Sequence, residues 1–372
     1  MKNGFLKAVL PAVLTAGIIT LSGCFPTGEK DPVVSDDYSD KDTFEYEGEN
    51  ISVSFDIPEV PENMPTRIKL KEKFFDYEEM LPLFFGDKPI NWEKTWSGGY
   101  YTDDDTYLSV EENRIQFNDG ETAHNHNYQV DGPVNYQVAL FVDEIFYKDT
   151  YFTGGDELDS FPLQDALDRA LELTSTLGFA NLGDPEIYAV SLYTYEKLIE
   201  ELDAYIFFNE EYPLTVDDEV YIFHFPQVFD DVRLAELREI SINDEFGDYG
   251  KSTVWSPRVI VGVAKDRIFY FSVDEAFEAE YEIVSSEPVR YDMNYAISEL
   301  VSFLEKTYFR DPAVIYKLQV VYYPAERREP GYTEYSPAWS FKGYMNSTNS
   351  ILMNEYTVFI SAENGTRRVY TG

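Results

Sequence analysis

Apolar and polar residues alternate along several short segments of the chain. In "ISVSFDIP" the apolar positions are Ile51, Val53, Phe55 and Ile57, and "RIKLKEK" alternates again. A period of two places successive side chains on opposite faces of a strand. The segments "EIYAVSLY" and "EVYIFHF" also predict strands, and "VNYQVALFVDEIFYKD" predicts one or two more.

Two further segments each hold a pair of strand patterns around a turn, which predicts hairpins. The first is "DTYLSVEENRIQFNDG", where Glu111, Glu112 and Asn113 form the turn and Asn113 can adopt a left-handed backbone. The second is "RVIVGVAKDRIFYFSV", which turns at Lys265 and Asp266.

Four segments instead predict helices. A short one begins at Asp76, a longer one runs from an N-cap at Ser160 to Gly178, and Thr194 and Asp292 cap two more. The apolar stripe predicted for the second helix comprises Leu163, Ala166, Leu167, Ala170, Leu171, Thr174 and Leu177. That of the fourth helix comprises Ala296, Ile297, Leu300, Val301, Leu304 and Tyr308.

The C-terminal part combines the last helix with three strand patterns. These are "VIYKLQVVYYP", "AWSFKGYM" and "YTVFISAENGTRRVY", and the dipeptide Asn364-Gly365 predicts a two-residue hairpin turn in the last of them. Because helices alternate with hairpins, we expect an α+β fold of antiparallel sheets and a few packed helices, in two subdomains. The predicted units are a mostly-β domain over 49–155 and an α+β domain over 156–372, in which 292–372 is one helix-plus-meander unit.

The N-terminal segment predicts a lipid anchor. Residues 1–23 have a basic start and an uncharged apolar stretch, typical of a secretory signal peptide. The run "LSGC" that follows resembles the lipobox of bacterial lipoproteins. This resemblance implies that the Cys24 thiol is diacylglycerated and that the peptide is cut before Cys24, which leaves a lipoprotein of the palmitate-bearing type with Cys24 as its N-terminus. We expect residues 24–48 to form a flexible acidic tether. We therefore expect a protein held on the extracytoplasmic face of the cell membrane.

The charge restricts the classes of partner. The chain carries 29 Lys and Arg against 69 Asp and Glu, a formal net charge of −40. Such a surface repels nucleic-acid phosphates and anionic lipid headgroups. We therefore expect no nucleic acid as a partner and membrane contact only through the N-terminal lipid. The chain is also 16% aromatic and 44% hydrophobic, so it can form a sizeable core.

The C-terminal unit resembles a known family. Its segments "LQVVYYP", "SPAWSF" and "VFISAENG" are similar to the PepSY-like modules of Firmicute envelope proteins, of which the YycH and YycI regulators of a sensor kinase are the best-known examples. The whole chain also resembles lipoproteins of unknown function from gut Firmicutes. The resemblance implies regulation of a partner by contact, without catalytic residues. The chain differs from YycH and YycI in having a lipobox where they have a transmembrane helix.

Candidate metal ligands are few. His124 and His126 in "AHNHN" lie two apart, so on an extended segment they share a face and can bind one metal ion, or they can belong to a polar loop. The third histidine, His224, is expected to be a structural residue of its strand. The acidic runs 103–105, 217–219 and 230–231 are expected to be solvated turns, with Ca²⁺ as the alternative, and none has EF-hand spacing. No other cofactor is expected.

Three functions remain open. The first is a non-catalytic binding or regulatory lipoprotein of the cell envelope with a protein partner, for which the strand of Trp339 or the Asn364-Gly365 hairpin can offer a sheet edge. The second is a glycan- or solute-binding lipoprotein, for which Trp92 and Trp96 in "NWEKTWSGGYY" are candidate contacts. The third is an envelope hydrolase, although no serine-elbow, zinc-helix or P-loop motif is present.

Overall fold

A computed structural model describes residues 38, 41–59, 66–91, 99–102, 106–119, 157–201, 215–236, 257–285, 290–309, 311–345 and 354–371. The strands in these ranges are β1 (Thr43–Gly48), β2 (Ile51–Asp56), β3 (Ile68–Glu72), β4 (Ile90–Asn91), β5 (Tyr100–Thr102), β6 (Tyr107–Glu111), β7 (Arg114–Asn118), β8 (Glu186–Val190), β9 (Val220–Phe225), β10 (Val228–Phe229), β11 (Val232–Arg233), β12 (Val259–Ala264), β13 (Ile268–Val273), β14 (Phe277–Ile283), β15 (Ala313–Glu329), β16 (Tyr332–Met345), β17 (Asn354–Ser361) and β18 (Arg367–Thr371). The helices are α1 (Tyr77–Phe85), α2 (Leu163–Thr176), α3 (Leu192–Glu201) and α4 (Met293–Leu304).

Two eight-stranded sheets organise these elements. Sheet I has the order β1-β2-β15-β16-β17-β18, and β3 pairs with both β16 and β14. Its single parallel pair among the described strands joins β2 to β15, with Ile51 opposite Ala313. Sheet II is antiparallel and has the order β4-β5-β6-β7-β13-β12-β9-β8. The predicted α+β class with antiparallel sheets is confirmed.

The predicted flexible tether over 24–48 extends too far. Thr43–Gly48 is strand β1, and Phe44 is buried in the core of sheet I, so this end of the tether prediction is wrong.

The predicted boundary at residue 155 does not coincide with a boundary between the sheets. Strands from before it enter both sheets, because β2 and β3 pair in sheet I whereas β4 to β7 pair in sheet II. Strands from after it complete both sheets in the same way. The chain crosses directly from sheet II to sheet I between β13 and β14.

Each sheet packs helices against one face. Helix α4 covers sheet I with the buried side chains Met293, Ala296, Ile297, Leu300 and Leu304. Helices α1 and α2 lie in the core of sheet II, where α2 contributes Ala166, Ala170 and Leu173. Among the described residues, no helix has the length and apolar composition needed to cross a membrane.

The hairpin β10–β11 lies where the two sheets meet. Its apolar residues Phe229, Val232 and Leu234 share a core cluster with residues of β3, β14, β15 and β16. The residue before it, Gln227, is almost completely buried; its side-chain amide donates to the Glu275 carbonyl at 2.6 Å and accepts from the Phe277 amide at 2.9 Å. These contacts tie the hairpin to the crossing between the sheets.

The helix predictions are partly confirmed. Asp76 and Asp292 are the N-caps of α1 and α4, and Gly178 follows α2 with a positive φ of 74°. The N-cap of α2 is Pro162 rather than Ser160, and α3 begins at Leu192, so that Thr194 lies inside it. These two cap predictions are wrong.

The predicted apolar stripes each contain one wrong member. In α2, Leu171 is 45% exposed and Leu173 is buried instead. Beyond α4, Tyr308 is 68% exposed because the helix has already ended at Leu304. The remaining members of both stripes are buried or partly buried.

The hairpin predictions are confirmed in place and corrected in detail. In the β6–β7 turn the positive φ, 48°, belongs to Glu112 rather than to Asn113. At the β17–β18 hairpin Gly365 has a φ of 69°, but the loop begins at Ala362 and is therefore longer than two residues. The strand pattern "VNYQVALFVDEIFYKD" lies outside the described residues.

Candidate functional site

Five of the six predicted site residues lie outside the described part of the chain. They are Cys24, His124, His126, Trp92 and Trp96. The sixth, Trp339, is fully buried on the α4 face of sheet I, and its indole N–H donates to the Tyr291 carbonyl at 3.1 Å. Its strand β16 lies between β15 and β17. The prediction that Trp339 and its strand edge contact a partner is therefore wrong.

The acidic runs that the structure describes are turns, but Glu219 is buried rather than solvated and accepts from the Ser160 and Leu192 amides. Thr215 caps a 3-10 turn over Val216–Asp218, and Asp230 and Asp231 form the β10–β11 turn with φ values of 48° and 61°. Two successive positive φ angles match the type I′ geometry of two-residue hairpins. The run 103–105 lies outside the described residues. Within the ranges described, no group of three or more His, Cys, Asp and Glu residues is placed to hold a metal ion.

The first candidate site is the outer edge of β18. Within the described residues β18 pairs with β17 alone and ends sheet I. The Ser361 amide donates to the Thr366 carbonyl at 2.9 Å, and hydrogen-bonded pairs alternate along an antiparallel ladder. The amides of Arg367, Val369 and Thr371 therefore point away from β17. This edge presents backbone donors and acceptors to another chain.

Two arginines extend from opposite faces of β18. Arg367 ion-pairs with Glu299 of α4 at 2.6 Å and lies over the Phe303 ring. On the other face, Arg368 donates to the Tyr323 hydroxyl at 2.9 Å. Both guanidinium groups are held beside the edge, which gives a strongly acidic protein a cationic strand at the end of its sheet.

The second candidate site is a charged cluster between the two sheets. The inter-sheet cluster consists of Glu186, His224, Arg233, Glu236, Arg258, Lys317 and Lys342. Glu236 bridges the sheets, since one of its carboxylate oxygens lies 3.8 Å from the Arg258 guanidinium and 3.9 Å from the Lys342 ammonium. Arg233 pairs with Glu186 at 3.5 Å.

His224 is a buried member of the inter-sheet cluster. The Arg258 guanidinium lies 3.2 Å from its Nδ1, and the Tyr188 ring packs against the imidazole with centroids 5.0 Å apart. Because a guanidinium has no acceptor, it donates to Nδ1, which fixes the neutral tautomer with its proton on Nε2. The prediction of a structural histidine agrees with this burial.

Four residues of sheet I, two of them members of the inter-sheet cluster, form a polar patch on one face. In the β15–β16 register Lys317 lies opposite Lys342 and Gln319 lies opposite Ser340, so all four share one face. We call Lys317, Gln319, Ser340 and Lys342 the polar quartet. A β-bulge after Ile315 produces this register and turns Tyr316 towards solvent, where it is 47% exposed.

The polar quartet contains two groups with unused hydrogen-bonding capacity. Lys317 makes no hydrogen bond or ion pair with the residues described here, and the buried Ser340 hydroxyl has no hydrogen-bond partner among them. Burial, followed by the charge of Lys342, lowers the pKa of Lys317.

A cleft of about 310 Å³ opens beside the quartet. Its walls come from both sheets and from the β10–β11 hairpin. The lining residues are Gly183, Asp184, Pro226, Val228, Asp231, Arg233, Gln319 and Val320. The cleft has no aromatic side chain in its described lining, which does not match a site that stacks sugar rings.

The sequence predictions did not include the inter-sheet cluster. Its members come from five strands and two loop segments, and no spacing in the sequence brings them together. A usable signal was the single lysine in each of the apolar-rich runs "VIYKLQVV" and "WSFKGYM". A charged residue inside such a run is rarely buried without a partner.

Comparison with known proteins shows a similar fold in a solved structure. No family model and no curated protein matches the chain. A similar solved structure is the crystal structure, at 1.45 Å resolution, of an uncharacterized protein from Eubacterium rectale ATCC 33656. It has 12% sequence identity to this chain and a TM-score of 0.60, and the similarity covers 88% of this chain and 93% of that one. At this identity the likeness concerns the fold alone.

Proposed function

We propose that the protein is a non-catalytic, lipid-anchored binding protein of the bacterial cell envelope that docks a protein partner by strand addition at β18. The observation that carries the docking role is the open edge of this strand, with the amides of Arg367, Val369 and Thr371 directed outward. An added strand gains affinity from backbone hydrogen bonds and selectivity from alternate side chains. Arg367 and Arg368 favour a partner segment that carries carboxylates.

Substitutions at Val369 test the docking role. Val369→Pro removes an outward amide, and proline is tolerated in edge strands when its position does not bond inward. Val369→Ala shortens the same side chain and keeps the amide, so it is the matched control. In crosslinking on intact cells, Val369→Pro should lose a partner that the parent and Val369→Ala both retain. If folded Val369→Pro keeps every crosslinked partner, β18 is not the docking edge.

The anchor is tested separately. Cys24 supplies the thiol of the "LSGC" boundary. No later segment of the sequence has an uncharged apolar stretch as long as the one within residues 1–23. Cys24→Ser should move the protein from the membrane fraction to the released fraction, whereas Ser22→Ala should leave it in place. Retention of Cys24→Ser with the membranes would show that another group holds the protein there.

A further inference from the structure

We propose that the polar quartet binds a small phosphate-type dianion beside the inter-sheet cleft, which it joins through Gln319. The ligand class is a tetrahedral oxyanion, either free inorganic phosphate or the phosphate group of a small monoester. This site is separate from the β18 edge, and the proposal does not depend on the docking role.

The first reason is the pairing of two lysines across adjacent strands. Lys317 and Lys342 lie directly opposite each other on one face of sheet I. Like charges at directly opposite positions destabilise a sheet. Glu236 lies 3.9 Å from Lys342, whereas Lys317 has no ion pair within the described residues. Glu186 and Glu236 act on Lys317 without forming an ion pair with it, so an anion held beside Lys317 adds the direct partner that this ammonium group lacks among the described residues.

The second reason is the kind of polar group beside the lysines. Gln319 offers an amide donor, and the Ser340 hydroxyl is buried with its hydrogen-bonding capacity unused among the residues described. A phosphate group accepts several hydrogen bonds and carries about −1.5 to −2 charges at neutral pH. Two ammonium groups, an amide and a hydroxyl on one face match these requirements.

The third reason is access. Gln319 lies both in the quartet and in the wall of the cleft, and Arg233 lines the same cleft. A cleft of about 310 Å³ admits a phosphate or a small monoester.

Two aspartates of the cleft give a further test of anion binding. Asp184 and Asp231 line it together with Arg233, so two carboxylates lie in the cleft that adjoins the quartet and repel an anion bound there. Neutralising Asp231 should therefore strengthen anion binding. Asp231→Asn is a suitable change because Asn also tolerates the positive φ of 61° at this turn position.

The experiment measures binding of inorganic phosphate to the full chain by calorimetry and by thermal shift, at constant ionic strength. Glycerol phosphate replaces phosphate in a second arm and succinate in a third. Phosphate or glycerol phosphate should bind and raise the melting temperature, and the tighter of the two identifies the source of the phosphate group. Lys317→Met should weaken this binding about tenfold or more. The matched control is Lys265→Met, an exposed lysine of the β12–β13 turn.

Other outcomes decide against the proposal. No binding of either phosphate ligand at millimolar concentration, or equal binding by Lys317→Met and the parent, overturns the site. Succinate binding as tight as phosphate overturns the ligand class. Because Lys317→Met relieves the repulsion of Lys342, it should melt no lower than the parent without ligand, so lost binding is not a folding failure. Asp231→Asn should bind phosphate more tightly, and weaker binding contradicts the assigned position.

Discussion

Tyr281 and Asp230 show how one contact at the junction of the sheets depends on pH. The Tyr281 hydroxyl donates to the Asp230 carboxylate in the β10–β11 turn, and this hydrogen bond raises the pKa of Tyr281 to about 12. The folded-state pKa is above the value of 10.0 for an unperturbed tyrosine. The contact therefore contributes stability that is complete below pH 10 and is lost as the pH rises through 12.

Tyr281→Phe should remove this pH dependence. At pH 8 the variant should be less stable than the parent by about 0.5 to 1 kcal/mol, because it lacks the hydrogen bond. Between about pH 10 and 12 the difference should shrink, since the parent loses the bond in that range. Urea unfolding across this range measures both curves, and Tyr308→Phe at an exposed site is the control. Parallel curves for the parent and Tyr281→Phe would contradict the assignment.

The sequence patterns predicted correctly those residues whose contacts lie within a few positions along the chain. Asp292 precedes an apolar stripe and caps α4 as predicted. By contrast, Trp339 is buried because α4 and the inner strands of sheet I surround it, and the polar quartet exists because a bulge sets the register of β15 against β16. The contacts of Trp339 and of the polar quartet come from segments far apart in the sequence, so the sequence predictions missed both.

At the scale of elements, the two proposed N-caps of α2 and α4 behave differently. The Asp292 carboxylate accepts from the Tyr295 amide at 2.9 Å. Ser160 lies before the helix start, and its amide donates to Glu219 at 3.3 Å while Phe161 packs edge-to-face on Tyr221. Tertiary contacts thus hold Ser160 away from the capping position. Its buried hydroxyl makes no hydrogen bond with the described residues.

The two caps give a matched pair of substitutions. Asp292→Ala should lower the free energy of unfolding by about 1 kcal/mol because it removes the cap of α4. Ser160→Ala should be neutral or slightly stabilising, because it removes a buried hydroxyl that has no partner within the described ranges. Chemical denaturation of both variants measures the difference. A larger loss for Ser160→Ala than for Asp292→Ala would contradict these assignments.

Contacts between elements also explain the wrong member of the α2 stripe. Arg169 donates to the carbonyls of Ala264 and Lys265 at 3.2 and 2.6 Å, which fixes that face of the helix against the β12–β13 turn. Leu173 is then buried and Leu171 is exposed. Periodicity predicted the existence of α2, whereas its rotation about the axis depends on a partner elsewhere in the chain.

At the scale of the whole molecule, the sheets make the two halves of the sequence interdependent. The core of sheet II combines Leu108, Ile115 and Phe117 with Val261 and Phe271. In sheet I, β3 pairs with β14 and β16. A chain cut at residue 155 leaves both sheets without several strands and both cores incomplete.

Separate fragments 24–155 and 156–372 should therefore fail to fold alone. Each fragment should lack the cooperative thermal transition of the intact chain, because its apolar strands have no partners. Mixing the two fragments restores the missing pairs and should recover the transition, which distinguishes lost partners from irreversible damage. A cooperative transition in isolated 156–372, followed by circular dichroism, would show that this half is an independent domain.

The parallel pairing of β2 with β15 also limits the order in which the strands of sheet I can form during synthesis. Ile51 leaves the ribosome early, yet its neighbour Ala313 is made only near the end of synthesis. Contacts so distant in sequence form slowly. Until β15 is made, the apolar side chains Val53 and Phe55 of the β1–β2 hairpin remain exposed. Glu45 and Glu47 on the outer strand β1 disfavour edge-to-edge pairing with other incompletely folded chains. The exposed carboxylates of β1 thus disfavour association of incompletely folded chains before sheet I is complete.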